Sequence, residues 1–324
     1  MQVSIIIVNY RTKELTKDAV QSVFDKTDGV EYEIIVIDND SKDGSSEYLR
    51  NKFGNKIEII DAGDNLGFGR ANNIGIRKAK GKYIFLLNSD AKLVNNAVKI
   101  FYDYMESNPD VGACCGNLYD DNMNPVLSFS MRNPTILSYF YTKYSHIISK
   151  MGTFNKKKQC GFFNYTDKII DIGYAAGADM FIKKSVLDKS GLFDEDIFMY
   201  YEDVDLNYRI KKAGFKLKSV PQAKIIHLES QSTKNFQEKY KKSLNGEYKF
   251  YFKTYGYKTI VFFVEMQMFN IIKLVMHCIL PKKILRKIFH NIYSVQDYKN
   301  MIKNNFNEYC EAKKNYIAKL EYKK

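Results

Sequence analysis

The chain has 324 residues, 45% of them hydrophobic, and a formal net charge of +13. That length and apolar share exclude general disorder and allow one large domain or two smaller ones. The charge is uneven: residues 231–324 hold 19 Lys+Arg against 7 Asp+Glu, while residues 1–230 hold 31 against 30, so the basicity belongs to a C-terminal appendage suited to an anionic surface.

The first element is a strand, Val3–Val8. It lacks a charged leader and a small-residue cleavage site, so no signal peptide is expected. Helical patterns then alternate with short apolar runs: Lys13–Phe24 after Val3–Val8, Ser45–Phe53 after Glu33–Ile37, Phe68–Ala79 after Ile57–Ile60, and Asn96–Ser107 after Tyr83–Leu87. Val-, Ile- and Leu-rich strands, each followed by a helix, predict βαβ units and an α/β fold with a mostly parallel sheet. Ligands of such sheets bind beyond the carboxyl ends of the strands. Polar residues gather at those ends: Asn9 and Tyr10; Asp38, Asn39 and Asp40; Asp61 and Asp64; Asn88, Ser89 and Asp90.

Residues 117–170 break this rhythm with Pro125, Pro134, a Tyr-rich patch over 139–144 and three lysines at 156–158. They are expected to form a long irregular insertion serving as a lid or substrate loop. Ala175–Ile182 and Lys224–Leu228 predict two further strands. The five cysteines, at 114, 115, 160, 278 and 310, contain no C-x-x-C pair. Neither a disulfide framework nor a zinc site is indicated, which points to a reducing compartment.

Four polar positions carry candidate chemistry. Tyr200 to Gly214 reads as a helix with Glu202, Asp203 and Asp205 at its start, where the free N–H groups favour acids. Asp205 pairs with Arg209 four residues on, leaving Glu202 and Asp203 beside the aromatic Phe198, Tyr200 and Tyr201. They are either helix-start acids or a general base. Asp90, at the end of a buried strand, is either a helix cap or the single hard carboxylate that suits a divalent cation held by a diphosphate. His227 is either structural or a metal or phosphate ligand. Asp38 either caps a turn or accepts a hydrogen bond from a nucleotide base. The glycine-bearing helix start at 65–73 has Asn72 at the third glycine position and follows the third strand, which argues against a dehydrogenase fingerprint.

Beyond residue 235 the pattern turns helical. Ile260, Val261, Val264, Met268, Ile271 and Val275 fall on one face of Thr259–Leu280, and Lys282, Lys283, Arg286 and Lys287 follow. Polar residues interrupt the stretch, so an amphipathic helix in an anionic membrane interface is expected rather than a span. The alternatives are packing on the body or on a second copy as a homodimer.

Together these segments resemble the inverting family 2 glycosyltransferases of glycosyltransferase-A fold, nearest the rhamnosyltransferase-like group of bacterial surface polysaccharide biosynthesis. The resemblance covers roughly residues 1–256 and rests on SIIIVNYRT (4–12), IIVIDNDSKDGS (34–45), NLGFGRANNIGI (65–76), FLLNSDA (85–91), GYAAGADMFIKK (173–184), GLFDEDIFMYYEDVDLNYRIKKAGF (191–215) and IIHLESQS (225–232), in family order. It implies a catalytic domain over 1–230, with 117–170 on the acceptor side, and a basic helical region over 231–324. It implies a dTDP- or UDP-sugar donor whose base meets Asp38 and a pocket of Val8, Asn9 and Tyr10. Asp64, Asn65 and Arg70 would lie near the nucleotide or donor sugar. Asn88, Ser89 and Asp90 occupy the place of the metal-binding D-x-D motif, with Asn for its first acid, so Asp90 and His227 would hold Mg²⁺ or Mn²⁺. Gly177, Ala178 and Asp179 would lie near acceptor or donor sugar. Asp203 matches the general base, with Glu202 beside it. The implied reaction is a single displacement by a hydroxyl of a lipid-linked glycan at the inner face of the cytoplasmic membrane.

Two rival readings are weaker. A sugar nucleotidyltransferase needs a glycine-rich, lysine-bearing loop after the first strand, where this chain has Asn9-Tyr10-Arg11-Thr12. A nucleic-acid binder is suggested only by the net charge, which is confined to the tail and accompanied by no recognised nucleic-acid motif.

Overall fold

The computed structural model describes residues 1–138, 162–228, 235–281, 283, 285 and 293–322. The Tyr patch over 139–144, the lysines at 156–158, Cys160, residues 229–232 of the last motif, and Lys282, Arg286 and Lys287 lie outside the described residues. The chain divides into two compact units, one within Met1–Asn133, Cys160–Phe198 and Glu202–Ser232, the other within Pro134–Gln159, Met199–Tyr201 and Thr233–Lys324. The second unit takes in the tail from Thr233 on, together with 199–201 and 134–138 of the described residues.

The first unit is built on β1 (Val3–Asn9), β2 (Tyr32–Asp38), β3 (Glu58–Asp61), β4 (Tyr83–Leu87), β5 (Ala91–Leu93), β6 (Val111–Tyr119), β7 (Phe129–Ser130), β8 (Ile170–Asp171), β9 (Tyr174–Ala175), β10 (Asp179–Lys183) and β11 (Lys216–His227). Its main sheet runs β3-β2-β1-β4-β10-β6-β11-β5. The first four strands in that order are parallel, while β10 is antiparallel to both neighbours and β5 is antiparallel to β11. The order places β2 and β3 on one side of β1 and β4 on the other, so the crevice between the ends of β1 and β4 is the switch point where ligands of such sheets bind.

Both sheet faces are apolar, as strands buried on two sides require. Val3, Ile5 and Ile7 share one core with Phe85, Phe101 and Phe181, and Ile6 shares the other with Ile35, Leu86, Met180 and Leu206. Helices α1 (Lys13–Lys26), α2 (Ser45–Phe53), α3 (Phe68–Lys78), α4 (Ala97–Ser107), α5 (Lys184–Ser190) and α6 (Glu202–Lys212) flank the sheet. The α4 start is capped by Asn96, whose side chain accepts from Lys99 N–H. Gly214, at φ 92°, ends α6 as the sequence anticipates.

Two expectations change. The predicted strand over 175–182 is interrupted at Gly177: β9 pairs with β7 in a small second sheet, and β10 enters the main one. And β6, unread in the sequence, is a central strand. Its Gly112, Cys114, Cys115 and Gly116 offer little of the branched apolar signal that marks strands. Its glycines serve close packing instead, since a Cβ on Gly116 would lie 2.5 Å from Ala223 O and one on Gly112 2.7 Å from Phe215 Cβ.

The second unit contains α7 (Phe236–Tyr255), α8 (Thr259–Ile279) and α9 (Val295–Tyr322). Asn235 caps α7 by accepting from Gln237 and Glu238 N–H. Aromatic pairs fill its interior, among them Tyr251–Phe262 with centroids 4.4 Å apart and Phe263–Tyr309 at 4.3 Å. Tyr200 and Tyr201 adopt φ of 67° and 71°, strained values for bulky residues. Within this unit Tyr201 packs on Phe250, and only a glycine at 246 leaves room for the Tyr200 carbonyl. Helix α8 turns its polar residues inward and its apolar stripe outward. Glu265 and Asn270 are buried, whereas Ile260, Val261, Val264, Met268, Ile271 and Val275 are about half exposed, between 46% and 57%. By length and composition the stretch Phe236–Ile279 is long and apolar enough to cross a membrane.

Candidate functional site

The carboxyl end of β1 is organised by Asn9. It is fully buried and its Oδ1 accepts from Thr12 N–H, Thr12 Oγ1 and Thr16 Oγ1 at 3.3, 3.0 and 2.8 Å. Its Nδ2 reaches Ser41 Oγ at 2.9 Å and Asp38 Oδ1 at 3.5 Å. Asn9, expected to line a base pocket, is thus fully engaged in shaping the turn after β1. Val8 and Tyr10 border it half-buried, and the Arg11 guanidinium lies 5.1 Å from the Tyr10 ring centroid. Thr12 Oγ1 also lies 2.9 Å from Ser89 Oγ, which ties the turn after β1 to the turn after β4 across the switch point.

Asp38, in register with Asn9 on the neighbouring strand, is buried. Its Oδ1 accepts from Ser41 N–H at 3.0 Å and its Oδ2 lies 2.7 Å from Ser46 Oγ. Asn39, to which the sequence assigns no role of its own, is buried and does much of the local work. Its Nδ2 donates to Asn65 Oδ1 at 3.0 Å and its Oδ1 accepts from Leu66 N–H at 2.9 Å, so it fastens the Asp64–Gly67 loop to the end of β2. Asn65 is half-buried in that loop and Asp64 is exposed. Arg70, exposed on α3, points its Nε to the Glu195 carbonyl and not to the crevice, because that carbonyl needs a donor in the loop before α6.

Asn88, Ser89 and Asp90 follow β4. Asp90 Oδ1 lies 3.4 Å from His227 Nε2, and Asn88 Nδ2 lies 3.2 Å from the same nitrogen. The pairing of β5 with β11, which sets His227 opposite Ala91, brings these residues together across 137 positions of sequence. Asn88 Oδ1 and His227 Nδ1 are buried without a hydrogen-bond partner, and a buried polar atom left unmatched calls for a ligand or an ion. One carboxylate, one imidazole and one amide oxygen fit a divalent cation that takes its remaining ligands from phosphate oxygens and water. No group of three or more His, Cys, Asp or Glu that could hold a metal ion occurs among the described residues.

Glu202 and Asp203 open α6. Glu202 is buried, with Oε2 unpartnered, while Asp203 is half-buried. Asp203 Oδ2 accepts from Gly177 N–H at 3.0 Å and Oδ1 from Val204 N–H at 2.8 Å. Burial raises the Asp203 carboxyl against the pull of those two donors. Burial, then the adjacent Asp203 charge, raises Glu202 well above the ordinary range. Asp203 is the more open of the two and the one that accepts from two backbone donors.

Glycines allow this approach. A Cβ on Gly177 would lie 3.3 Å from Asp203 Cβ, and one on Gly69 would lie 3.0 Å from Phe193 Cβ and 3.6 Å from Glu202 Cβ. Gly67, at φ 81°, packs so closely on Phe198 that a Cβ would stand 2.1 Å from its carbonyl oxygen. Ala178 continues the connection: its carbonyl accepts from Asn88 N–H at 3.0 Å. Two consecutive residues, Gly177 and Ala178, thus join Asp203 at the start of α6 to the Asn88–Asp90 turn. Asp179 departs from expectation. It is fully buried, accepting from Gly116 N–H at 2.6 Å with Oδ1 unpartnered, and burial raises its carboxyl well above the usual range. Strand alternation turns it to the same face as the buried Phe181.

A family model, described as glycosyl transferase family 2, matches residues 4–171. Among curated proteins, the chain is 29% identical over 245 residues to the rhamnosyltransferase WbbL of Escherichia coli K12, covering 73% of this chain and 87% of that protein. It is 24% identical over 215 residues to an N-acetylglucosaminyl-diphospho-decaprenol L-rhamnosyltransferase of Mycobacterium tuberculosis, covering 62% and 67%. Among solved structures, it superposes on the mannosyltransferase PcManGT of Pyrobaculum calidifontis, in complex with GDP-Man and Mn²⁺, with a TM-score of 0.52 and 14% identity, covering 78% of this chain and 63% of that one. At such identity the likeness carries the fold.

Proposed function

The chain belongs to glycosyl transferase family 2, and on that premise we propose that it is an inverting, metal-assisted transferase moving rhamnose or a similar hexose from a dTDP- or UDP-sugar to a hydroxyl of a lipid-linked glycan. The observation that carries this reading is the Gly177–Ala178 link, which holds the Asp203 carboxylate and the Asn88–Asp90 turn on two consecutive residues. A base on one side and an anion-binding group on the other is what a single displacement at an anomeric carbon needs.

In this reading Asp203 accepts the proton of the attacking hydroxyl, and its two backbone donors keep the carboxylate aimed. Glu202 packs beside it, its carboxyl raised by burial and by the adjacent Asp203 charge. Asp90 and His227, with Asn88, hold the divalent cation, which when bound offsets the charge developing on the departing diphosphate. Asp38 and Tyr10 border the nucleotide base, and the Asn39-fastened loop at 64–67 borders the donor. Asp179 and Arg70 have no role in it. The relatives' names support a glycan acceptor on a diphospho-lipid and a bacterial setting.

Attachment to the inner face of the cytoplasmic membrane is supported by α8. An outward apolar stripe next to exposed Lys283, in a region with 19 Lys+Arg against 7 Asp+Glu, matches a helix lying in an anionic interface.

The test is thermal-shift stabilisation by dTDP, UDP, GDP and CDP, each with and without Mn²⁺ or Mg²⁺. Ligand that binds only the native state raises the midpoint by mass action. A metal-dependent shift with dTDP or UDP, lost in Asp90→Ala, is expected. No shift with any nucleotide would overturn the reading.

A further inference from the structure

We infer that Asn207 is a positioning residue for the base, setting Asp203 and the Asn88–Asp90 turn in register by gripping the backbone of the segment between them. This rests on the reading of Asp203 as the base. Asn207 lies one helical turn beyond Asp203 on α6 and is fully buried. Its carboxamide grips Ala175 at two points, with Nδ2 donating to Ala175 O at 3.2 Å and Oδ1 accepting from Ala175 N–H at 3.3 Å. The second proton of Nδ2 goes to the Asp203 carbonyl at 2.8 Å. One side chain thus joins the peptide that carries the base to a segment that is otherwise weakly held, since β9 spans only two residues.

The segment then runs Ala175, Ala176, Gly177, Ala178. Asn207 holds its first residue, Gly177 N–H holds the Asp203 carboxylate, and Ala178 O accepts from Asn88 N–H. Ala176 N–H donates to Ser128 O at 3.0 Å, which steadies the opposite edge. With the Asn207 grip removed, the Gly177 N–H is free to drift from Asp203 Oδ2, and the carboxylate loses one of its two donors. A hydrogen bond to the charged form favours that form, so its loss moves the Asp203 titration upward. Glu202 is the titratable neighbour in the same turn, and Arg209, one turn on, is committed to Asp205 at 2.8 Å.

A purely structural staple makes a different prediction. Asn73 on α3 has the same two-point grip, with Nδ2 donating to Phe193 O and Oδ1 accepting from Phe193 N–H, both at 3.0 Å. It does not touch 175–178. Loss of either staple lowers stability, but only Asn207 acts on the base.

The experiment compares Asn207→Ala and Asn73→Ala in the full chain, following the Asp203 carboxyl by ¹³C NMR titration without nucleotide or metal. Asn207→Ser, whose hydroxyl still reaches the carbonyl one turn back, replaces the alanine variant if that does not fold. The expected result is an Asp203 midpoint raised by about one pH unit in the Asn207 variant only. Where transfer is measurable, kcat falls about tenfold or more, the donor KM stays within about twofold, and the acid limb of kcat moves up by the same amount. An unmoved Asp203 titration, or an equal shift in Asn73→Ala, would overturn the inference whatever the activity. Absence of any nucleotide binding or transfer by the unaltered chain overturns the function proposed above, and the titration then decides by itself whether Asn207 positions Asp203.

Discussion

The sheet unit and the helical unit treat polar side chains in opposite ways. In the sheet unit the polar groups collect at the carboxyl ends of strands, where Asn9, Asp38 and Asn39 are almost entirely committed to neighbouring side chains and backbone, as Asn207 is on α6. Those that keep a buried polar atom without a partner include Asn88, His227, Glu202 and Asp179. In the helical unit α8 buries Glu265 and Asn270 and presents apolar residues to the outside. The difference sets a network that fixes positions against a surface left uncovered. A pinned polar network holds reacting groups within fractions of an ångström, whereas an outward apolar stripe gains only when a surface covers it.

The largest expected effect lies in the pinned network. Asp203→Asn removes the proton acceptor and should lower kcat by about 10²–10⁴-fold, with membrane binding unchanged. A variant with near-normal kcat would move the base elsewhere. Because burial raises Asp203, the acid limb of the kcat–pH profile should lie above the ordinary carboxylate range. An acid limb at or below that range would refute the burial argument.

Next is the cation site. Asp90→Ala should abolish the metal-dependent part of the nucleotide thermal shift. Treating the unaltered chain with a chelator should have the same effect, reversed by added Mn²⁺ or Mg²⁺. Nucleotide binding insensitive to both would place the phosphates away from the Asn88–Asp90 turn.

The stripe provides the counter-test. Val264 and Met268 are 46% and 57% exposed, so changing both to Glu should leave Tm within a degree or two. Sedimentation with phosphatidylglycerol vesicles should weaken by about 10–100-fold, from lost apolar burial and added repulsion. Unchanged vesicle binding together with loss of a dimer on a sizing column would assign the stripe to a second copy.

The smallest effect concerns stability. Asp179 has a raised carboxyl, so its favourable contribution is complete below the ordinary carboxylate value and is lost as pH rises through its raised one. Asp179→Asn keeps an acceptor for Gly116 N–H and removes the buried charge. It should raise stability near neutral pH by about 1–3 kcal/mol and leave it unchanged near pH 4. Equal Tm values across that range would show that Asp179 carries no such penalty.

Much of the sheet was legible because strands buried on both faces, such as Ile5-Ile6-Ile7 and Tyr83–Leu87, must be apolar throughout. The start of α6 was legible from its acids and its terminal Gly214. Strand β6 was not, because its glycines answer to Ala223 and Phe215 from a distant part of the chain. Asp179 misled for a related reason: its place in a motif near the crevice says nothing of which face its strand alternation selects. Asn39 and Asn207 carried no signal, since a lone Asn reads as a turn former until the backbone it grips is known.

The amino-acid sequence alone determined the alternation of strands and helices, the polar clustering at strand ends, the acids before α6, the apolar stripe of α8 and the basic tail. These follow from local periodicity and composition, which need no partner to be read. The tertiary structure alone decided that Asp90 meets His227, that Gly177 and Ala178 join Asp203 to the Asn88 turn, that Arg70 Nε donates to the Glu195 carbonyl and that Asp179 accepts from Gly116 N–H. Those outcomes depend on strand order and register, which couple residues far apart in sequence and leave no trace in the residues between them.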